Sequence, residues 1–70
     1  MRRQAVSSST IASIGYDRDQ HVLEIEFASG SVYRYRMVAP SVHRELMASS
    51  SHGRFFNTRI RDHYPAEQVS

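Results

Sequence analysis

Seventy residues without a cysteine make at most one small domain, held together by its apolar core alone. That size excludes a two-domain cleft, and the missing thiols exclude a disulfide framework, a zinc knuckle and a thiol nucleophile. Nine basic residues, all of them arginine, stand against seven acidic ones; the resulting net charge of +2 is too small by itself to mark a nucleic-acid partner.

Residues 1–9 are polar and basic, with Val6 as the one firm apolar anchor, and read as a flexible arm. The start Met1-Arg2-Arg3 meets Ser7-Ser8-Ser9-Thr10 with no apolar stretch between, so a secretory signal is not expected. No apolar run approaches the roughly 18 residues of a membrane span. The expectation is a globular module of a reducing cytoplasm.

Ile11, Ile14 and Tyr16 form a first apolar segment, closed by the turn-like Asp17-Arg18-Asp19-Gln20, whose aspartates can accept from nearby backbone amides. Ile11 and Ile14 are three apart, which a two-residue period does not allow. Either Ile11 precedes the strand or a bulge lies near Gly15. Leu23, Ile25 and Phe27 then alternate with Glu24 and Glu26, and Tyr33, Tyr35 and Met37 alternate with Arg34 and Arg36. Both runs have the period of half-buried strands. A three-residue loop, Ala28-Ser29-Gly30 with a left-handed glycine last, joins them. It sets Ile25 opposite Tyr33, Leu23 opposite Tyr35 and Glu24 opposite Arg34; a two-residue loop would mix the faces.

Pro40 opens a helix where its missing N–H costs nothing, with Val42 and Leu46 on one face and Met47 beside them. Ser49–Ser51 break it, and Ser51 is a suitable N-cap for a second helix. There Phe56, Ile60 and Tyr64 recur every four residues as a core-facing stripe, up to Pro65. The expected fold is α+β, in the order β-β-β-α-α: a three-stranded antiparallel sheet with two helices packed on one face. It occupies residues 10–66, with 67–70 as a tail. Its expected core is Ile14, Tyr16, Leu23, Ile25, Phe27, Tyr33, Tyr35, Val42, Leu46, Phe56, Ile60 and Tyr64.

Several motifs carry a resemblance to a known family. They are Ser8-Ser9-Thr10-Ile11, Ile14-Gly15-Tyr16-Asp17, Leu23–Phe27, Gly30–Tyr35 with its central Tyr33-x-Tyr35, and the run Gly53-x-x-Phe56-Asn57-x-x-Ile60-Arg61. In this order the chain resembles the KTSC domain, found at the C-terminus of some lysyl-tRNA synthetases and as stand-alone bacterial and phage proteins. It departs from that pattern at Ala39, between Val38 and Pro40, and at His43, where the family often has tyrosine. The resemblance implies no catalytic activity; its link to a tRNA synthetase implies RNA binding and a setting in gene expression.

Among candidate sites, Tyr33 and Tyr35 fall on the apolar face, which favours burial over base stacking. Arg34 and Arg36 are expected to be matched by Glu24 and Glu26 as a solvated ladder. The Ser49–Gly53 stretch reads as an ordinary loop and cap. His52 and His63, eleven residues apart, would lie about 16 Å apart along a helix, too far for one metal. No catalytic residue, metal, cofactor or small-molecule substrate is assigned.

The uncompensated groups are Arg2 and Arg3 on the arm and Arg54, Arg59 and Arg61 beside Phe55 on the second helix. Arginine and aromatic residues are enriched at protein interfaces. The leading expectation is therefore a small regulator docking through these residues on a protein of the transcription or translation machinery, such as bacterial RNA polymerase, as a phage-type regulator would. The second expectation is direct binding of tRNA or single-stranded RNA by the same arginines.

Overall fold

The computed structural model describes every residue, Met1–Ser70. Strands β1 (Arg3–Ala5), β2 (Ile11–Asp17), β3 (Val22–Phe27) and β4 (Val32–Tyr35) precede helix α1 (Pro40–Ala48). Helix α2 (His52–Phe55) follows and runs directly into a π-helical turn, Phe56–Ile60, and strand β5 (Ala66–Gln68) closes the chain. The strands form one antiparallel sheet in the order β1-β2-β3-β4-β5. The fold is α+β with two helical segments as expected, but the sheet has five strands and not three.

The two additional strands come from the segments read as arm and tail. Neither Arg3-Gln4-Ala5 nor Ala66-Glu67-Gln68 carries an apolar alternation, and both are exposed throughout. They are held by backbone pairing and by charge, neither of which leaves a hydrophobic period in the sequence. Both are short polar edges, a form that resists further strand addition.

The central hairpin takes the register set by the three-residue loop: Leu23 faces Tyr35, Glu24 faces Arg34 and Ile25 faces Tyr33. Gly30 supplies the left-handed residue at φ +100°. In β2 the irregularity lies between Ile11 and Ser13, at Ala12, rather than near Gly15. This bulge resolves the three-residue spacing. Ile11 and Ile14 both reach the helix-side core, opposite Phe27 and Ile25.

Ile11, Ile14, Leu23, Ile25, Tyr35, Val38, Leu46, Phe56 and Ile60 make one buried cluster, with Tyr16, Phe27, Tyr33, Val42, Phe55 and Tyr64 half-buried against it. Met37 does not continue the β4 alternation. Its φ of +64° swings it out to solvent and turns Val38 in. The Val38 N–H then donates to the His21 carbonyl, and the Val38 carbonyl accepts from the Tyr16 hydroxyl.

Ser51 caps α2, its Oγ accepting from the Arg54 N–H. The second helix does not reach Pro65, because the π turn ends it at Ile60 and Asp62 follows at φ +65°. Thr58 Oγ1 donates to the Arg54 carbonyl at 2.9 Å, a side-chain bond that competes with the backbone ladder. The Arg61 N–H reaches five residues back to the Phe56 carbonyl. Tyr64 thus packs on the core from beyond the helix.

On the face away from the helices one row of partners crosses all five strands: Arg3, Gly15, Glu24, Arg34, Glu67. The Glu24 carboxylate is 8% exposed and is held by Arg3 at 2.5 Å and Arg34 at 2.8 Å. Ser13 Oγ accepts from Arg3 Nε and donates to Glu26. Arg36 pairs with Glu67 of β5 rather than with Glu26, because Glu26 lies opposite Val32. Arg3, placed above in the free partner-binding set, is committed to the sheet.

Gly15 makes this possible. A Cβ there would lie 2.9 Å from Arg3 Cγ and 3.1 Å from the Arg2 carbonyl oxygen, so the bare backbone is the path by which Arg3 reaches Glu24. Gly15→Ala is expected to lift β1 at a cost of about 1–3 kcal/mol. Hydrogen exchange should then speed up at residues 3–5 while β3 and β4 stay protected; unchanged protection of β1 would refute the assignment.

Candidate functional site

The turn geometry of the second helix decides where its polar side chains point. Asn57 and Arg61 border an open depression whose walls are Phe27, Tyr33, Tyr35 and Phe56, with Thr10 at its edge and a volume of about 360 Å³. The rings brace one another. Phe56 meets Phe27 and Tyr35 edge-on at 5.2 and 5.5 Å, Phe27 meets Tyr33 edge-on at 5.8 Å, and Tyr33 lies against Tyr35 at 6.4 Å. Such contacts hold rings in place beyond simple area burial.

Four polar groups at this depression have no side-chain partner in the protein: the Tyr35 hydroxyl, Thr10 Oγ1, the Asn57 amide and the Arg61 guanidinium. Tyr35 is 6% exposed, yet no buried side-chain oxygen or nitrogen lacks a partner, so its hydroxyl is the part that meets solvent. Burial, and then the neighbouring Tyr33, push this phenol up to about 12, against the opposing charge of Arg61. At neutral pH it is a neutral donor. Tyr33 differs, since its hydroxyl is spent on Gln68 Oε1 at 3.3 Å.

A second depression of about 390 Å³ adjoins the first, sharing Thr10 and Asn57. Its lining is entirely polar, with the Ser7–Thr10 loop on one side and the start of α2 with Arg54 on the other. Together they make one groove, aromatic at one end and hydroxyl-lined at the other, with a guanidinium at each end.

Of the arginines singled out from the sequence, the structure brings Arg54 and Arg61 to this groove. Arg59 lies over the Phe55 ring, 5.2 Å from its centroid, and reaches Glu45 of α1 at 3.5 Å. It is therefore matched, and Phe55 is half-buried beneath it. Arg3 is bound to Glu24. Arg2 makes no ion pair and lies on β1's flank away from the groove lining. Arg18 and Arg44, also unmatched, flank a ring pair in which His43 stacks on Tyr16 at 4.7 Å. Burial holds His43 below its ordinary value, so that stack is neutral.

Sequence reasoning missed Thr10 and Asn57, and it assigned Phe27, Tyr33, Tyr35 and Phe56 to the core alone. The available signal was Asn57 and Arg61, four apart beside two core residues, with no cap or turn to occupy the asparagine. No group of three or more histidine, aspartate or glutamate side chains is gathered for a metal. No helix is long and apolar enough to cross a membrane.

An antiparallel sheet backed by two helical segments and bearing this groove defines a small single-core module. The family model of the KTSC domain matches residues 7–64, and the chain belongs to the KTSC domain family. A crystal structure of a KTSC domain protein from Yersinia pestis matches with a TM-score of 0.96 at 40% identity, over 99% of this chain and 97% of that one. An uncharacterized protein of Stutzerimonas stutzeri is 46% identical, over 91% of this chain and 92% of its own. A lysine–tRNA ligase of Nostoc punctiforme is 42% identical over 89% of this chain, which corresponds to 11% of the ligase. The same module thus occurs at the scale of a whole small protein and as a minor part of a ligase.

Proposed function

We propose that this domain is a non-catalytic RNA-binding module of gene expression in the cytoplasm, and that its groove is the binding surface. The observation that carries this reading is the pair of unmatched guanidiniums, Arg54 and Arg61, at the two ends of one groove with an aromatic wall. Phosphate attraction depends on local and not overall charge, so the net +2 is no obstacle. The similarity to a segment of lysine–tRNA ligases supports the same partner class.

The order of the two expectations is reversed for a physical reason. Docking on a protein drew on Arg3, Phe55 and Arg59, and these are the groups occupied within the fold. A protein interface at Phe55 is the second reading, favoured by the Arg59–Phe55 stack. RNA polymerase is one such partner, and no feature of the geometry selects it over others.

Titration of a labelled single-stranded RNA over a range of salt separates the readings. The double substitution Arg54→Ala, Arg61→Ala is expected to weaken binding at low salt about tenfold or more. It should also reduce the slope of log K against log salt by about 1.4, at about 0.7 per phosphate contact. Phe55→Ala should leave both unchanged. An unchanged slope in the double variant refutes the groove as the RNA surface. Retention of purified RNA polymerase by the wild type but not by Phe55→Ala would carry the second reading instead.

A further inference from the structure

Aromatic-walled depressions are common on small domains; what sets this one apart is the state of its polar groups. A side chain buried as deeply as Tyr35 ordinarily satisfies its hydroxyl inside the protein. Here the hydroxyl makes no hydrogen bond to any other residue and opens into the depression beside Arg61 and Asn57, which are also unpartnered. Nothing in the packing requires this. Phenylalanine would fill the same volume, and the edge-on contact with Phe56 at 5.5 Å involves only the ring.

We propose that the depression walled by Phe27, Tyr33, Tyr35 and Phe56 is a receptor for one unstacked nucleobase, read at its edge by Tyr35, Asn57 and Arg61, with the attached phosphate towards Arg54. The inference rests on the RNA reading above and makes it specific: the protein takes hold of a base as well as a charged backbone. The chemistry fits in three respects. Ring walls favour a planar ligand. Tyr35 and Arg61 present donors, and Asn57 presents a donor and an acceptor side by side, the combination that base edges require. The wall shared through Thr10 and Asn57 leads to a hydroxyl-lined trough holding Arg54, where the phosphate of the same nucleotide finds a cation.

A receptor of this kind discriminates between paired and unpaired RNA. In a duplex the bases are stacked and unavailable, whereas in a single strand one base can be splayed out and inserted. The edge readers should therefore matter for single strands only, and the backbone contacts for both.

The test compares a mixed-sequence single-stranded RNA of about twelve nucleotides with the same RNA annealed to its complement, on wild type, Tyr35→Phe, Asn57→Ala and Arg54→Ala. Wild type is expected to bind the single strand at least tenfold more tightly than the duplex. Tyr35→Phe and Asn57→Ala should each remove threefold or more of that preference, with an unchanged melting temperature and salt slope. Arg54→Ala should weaken both RNAs and lower the slope. Nucleoside 5′-monophosphates, followed by amide chemical shifts, separate a free nucleotide from a nucleotide within a strand. Shifts at Tyr35 and Asn57 with mononucleotide alone would assign the site to free nucleotide, and competition between the two would assign it to both. Equal binding of single strand and duplex, with an ordinary salt slope, would overturn the base receptor and leave RNA binding standing. No binding of either RNA would overturn both, and a Tyr35→Phe variant with full preference would remove Tyr35 from the reading.

Discussion

Phe56→Ala is expected to destabilise the domain by about 3–5 kcal/mol, a fall in Tm of at least about 12 °C for a chain of this size. Phe56 is 5% exposed and meets Phe27 and Tyr35 edge-on, so truncation leaves a cavity and removes two aromatic contacts at once. It also begins the π turn, where its carbonyl accepts from the Arg61 N–H. A domain of about 70 residues has only about 4–10 kcal/mol to lose, so the variant should be largely unfolded near body temperature. Phe56→Leu keeps most of the volume and should recover more than half of the loss. Calorimetry of the three proteins measures this. A Phe56→Ala protein with wild-type Tm would mean that the aromatic wall does not belong to the core.

The two variants also separate fold from site. Phe56→Leu should melt as a cooperative unit while holding Tyr33 and Tyr35 less firmly. Its single-strand preference should drop further than its stability. Tyr35→Phe should show the opposite pattern, with stability kept and preference reduced.

Glu24→Gln is expected to cost about 1–2 kcal/mol at neutral pH, a figure reduced for screening at the exposed guanidinium ends. Burial opposes ionisation of Glu24, but hydrogen bonds from Arg34 and Arg3, together with their charges, outweigh it and hold the carboxyl below the usual range. A carboxyl depressed in the folded state contributes its full stability above its unfolded value of about 4.3. That contribution is lost as pH falls through the lower folded value. Urea unfolding of both proteins from about pH 7 to about pH 3 should therefore show a gap that is widest at neutral pH and closes in acid. A gap that stays constant into acid would refute the ladder as the source. The strand β1 should loosen with it, because Arg3 reaches across Gly15 to this one carboxylate.

Much of the fold was legible because apolar period records which face is buried. Leu23, Ile25, Tyr33 and Tyr35 declared one face of a hairpin, and the loop ending in Gly30 left one register open to it. Ser51 and Pro40 announced helix starts by their capping chemistry. The bulge at Ala12 was present as a spacing conflict between Ile11 and Ile14, but nothing local says on which residue such a conflict is relieved. Val38 and Met37 exchanged places because a left-handed residue at Met37 breaks the alternation that the period assumes.

The charges were harder, since a charge carries no period and finds its partner through space. Arg3 and Glu24 are 21 residues apart, and Arg36 and Glu67 are 31 apart. Neither pairing could be read along the chain, although Glu24 with Arg34 could, as cross-strand neighbours of one hairpin. Arg59 likewise met Glu45 only once α1 and α2 were packed together.

The sequence by itself determined a small cysteine-free α+β domain, its central hairpin, its helix starts and most of the side chains that fill its core, because these follow from local geometry and from the cost of exposing apolar surface. The tertiary structure alone decided which arginines are free and what the aromatic residues are for. Edge strands β1 and β5 are added by backbone pairing, and their arrival commits Arg3 and Arg36. The π turn sets Asn57 and Arg61 beside rings contributed by β3 and β4. A groove assembled from four separate elements has no continuous trace in the chain, because the distances that make it a site are distances between elements.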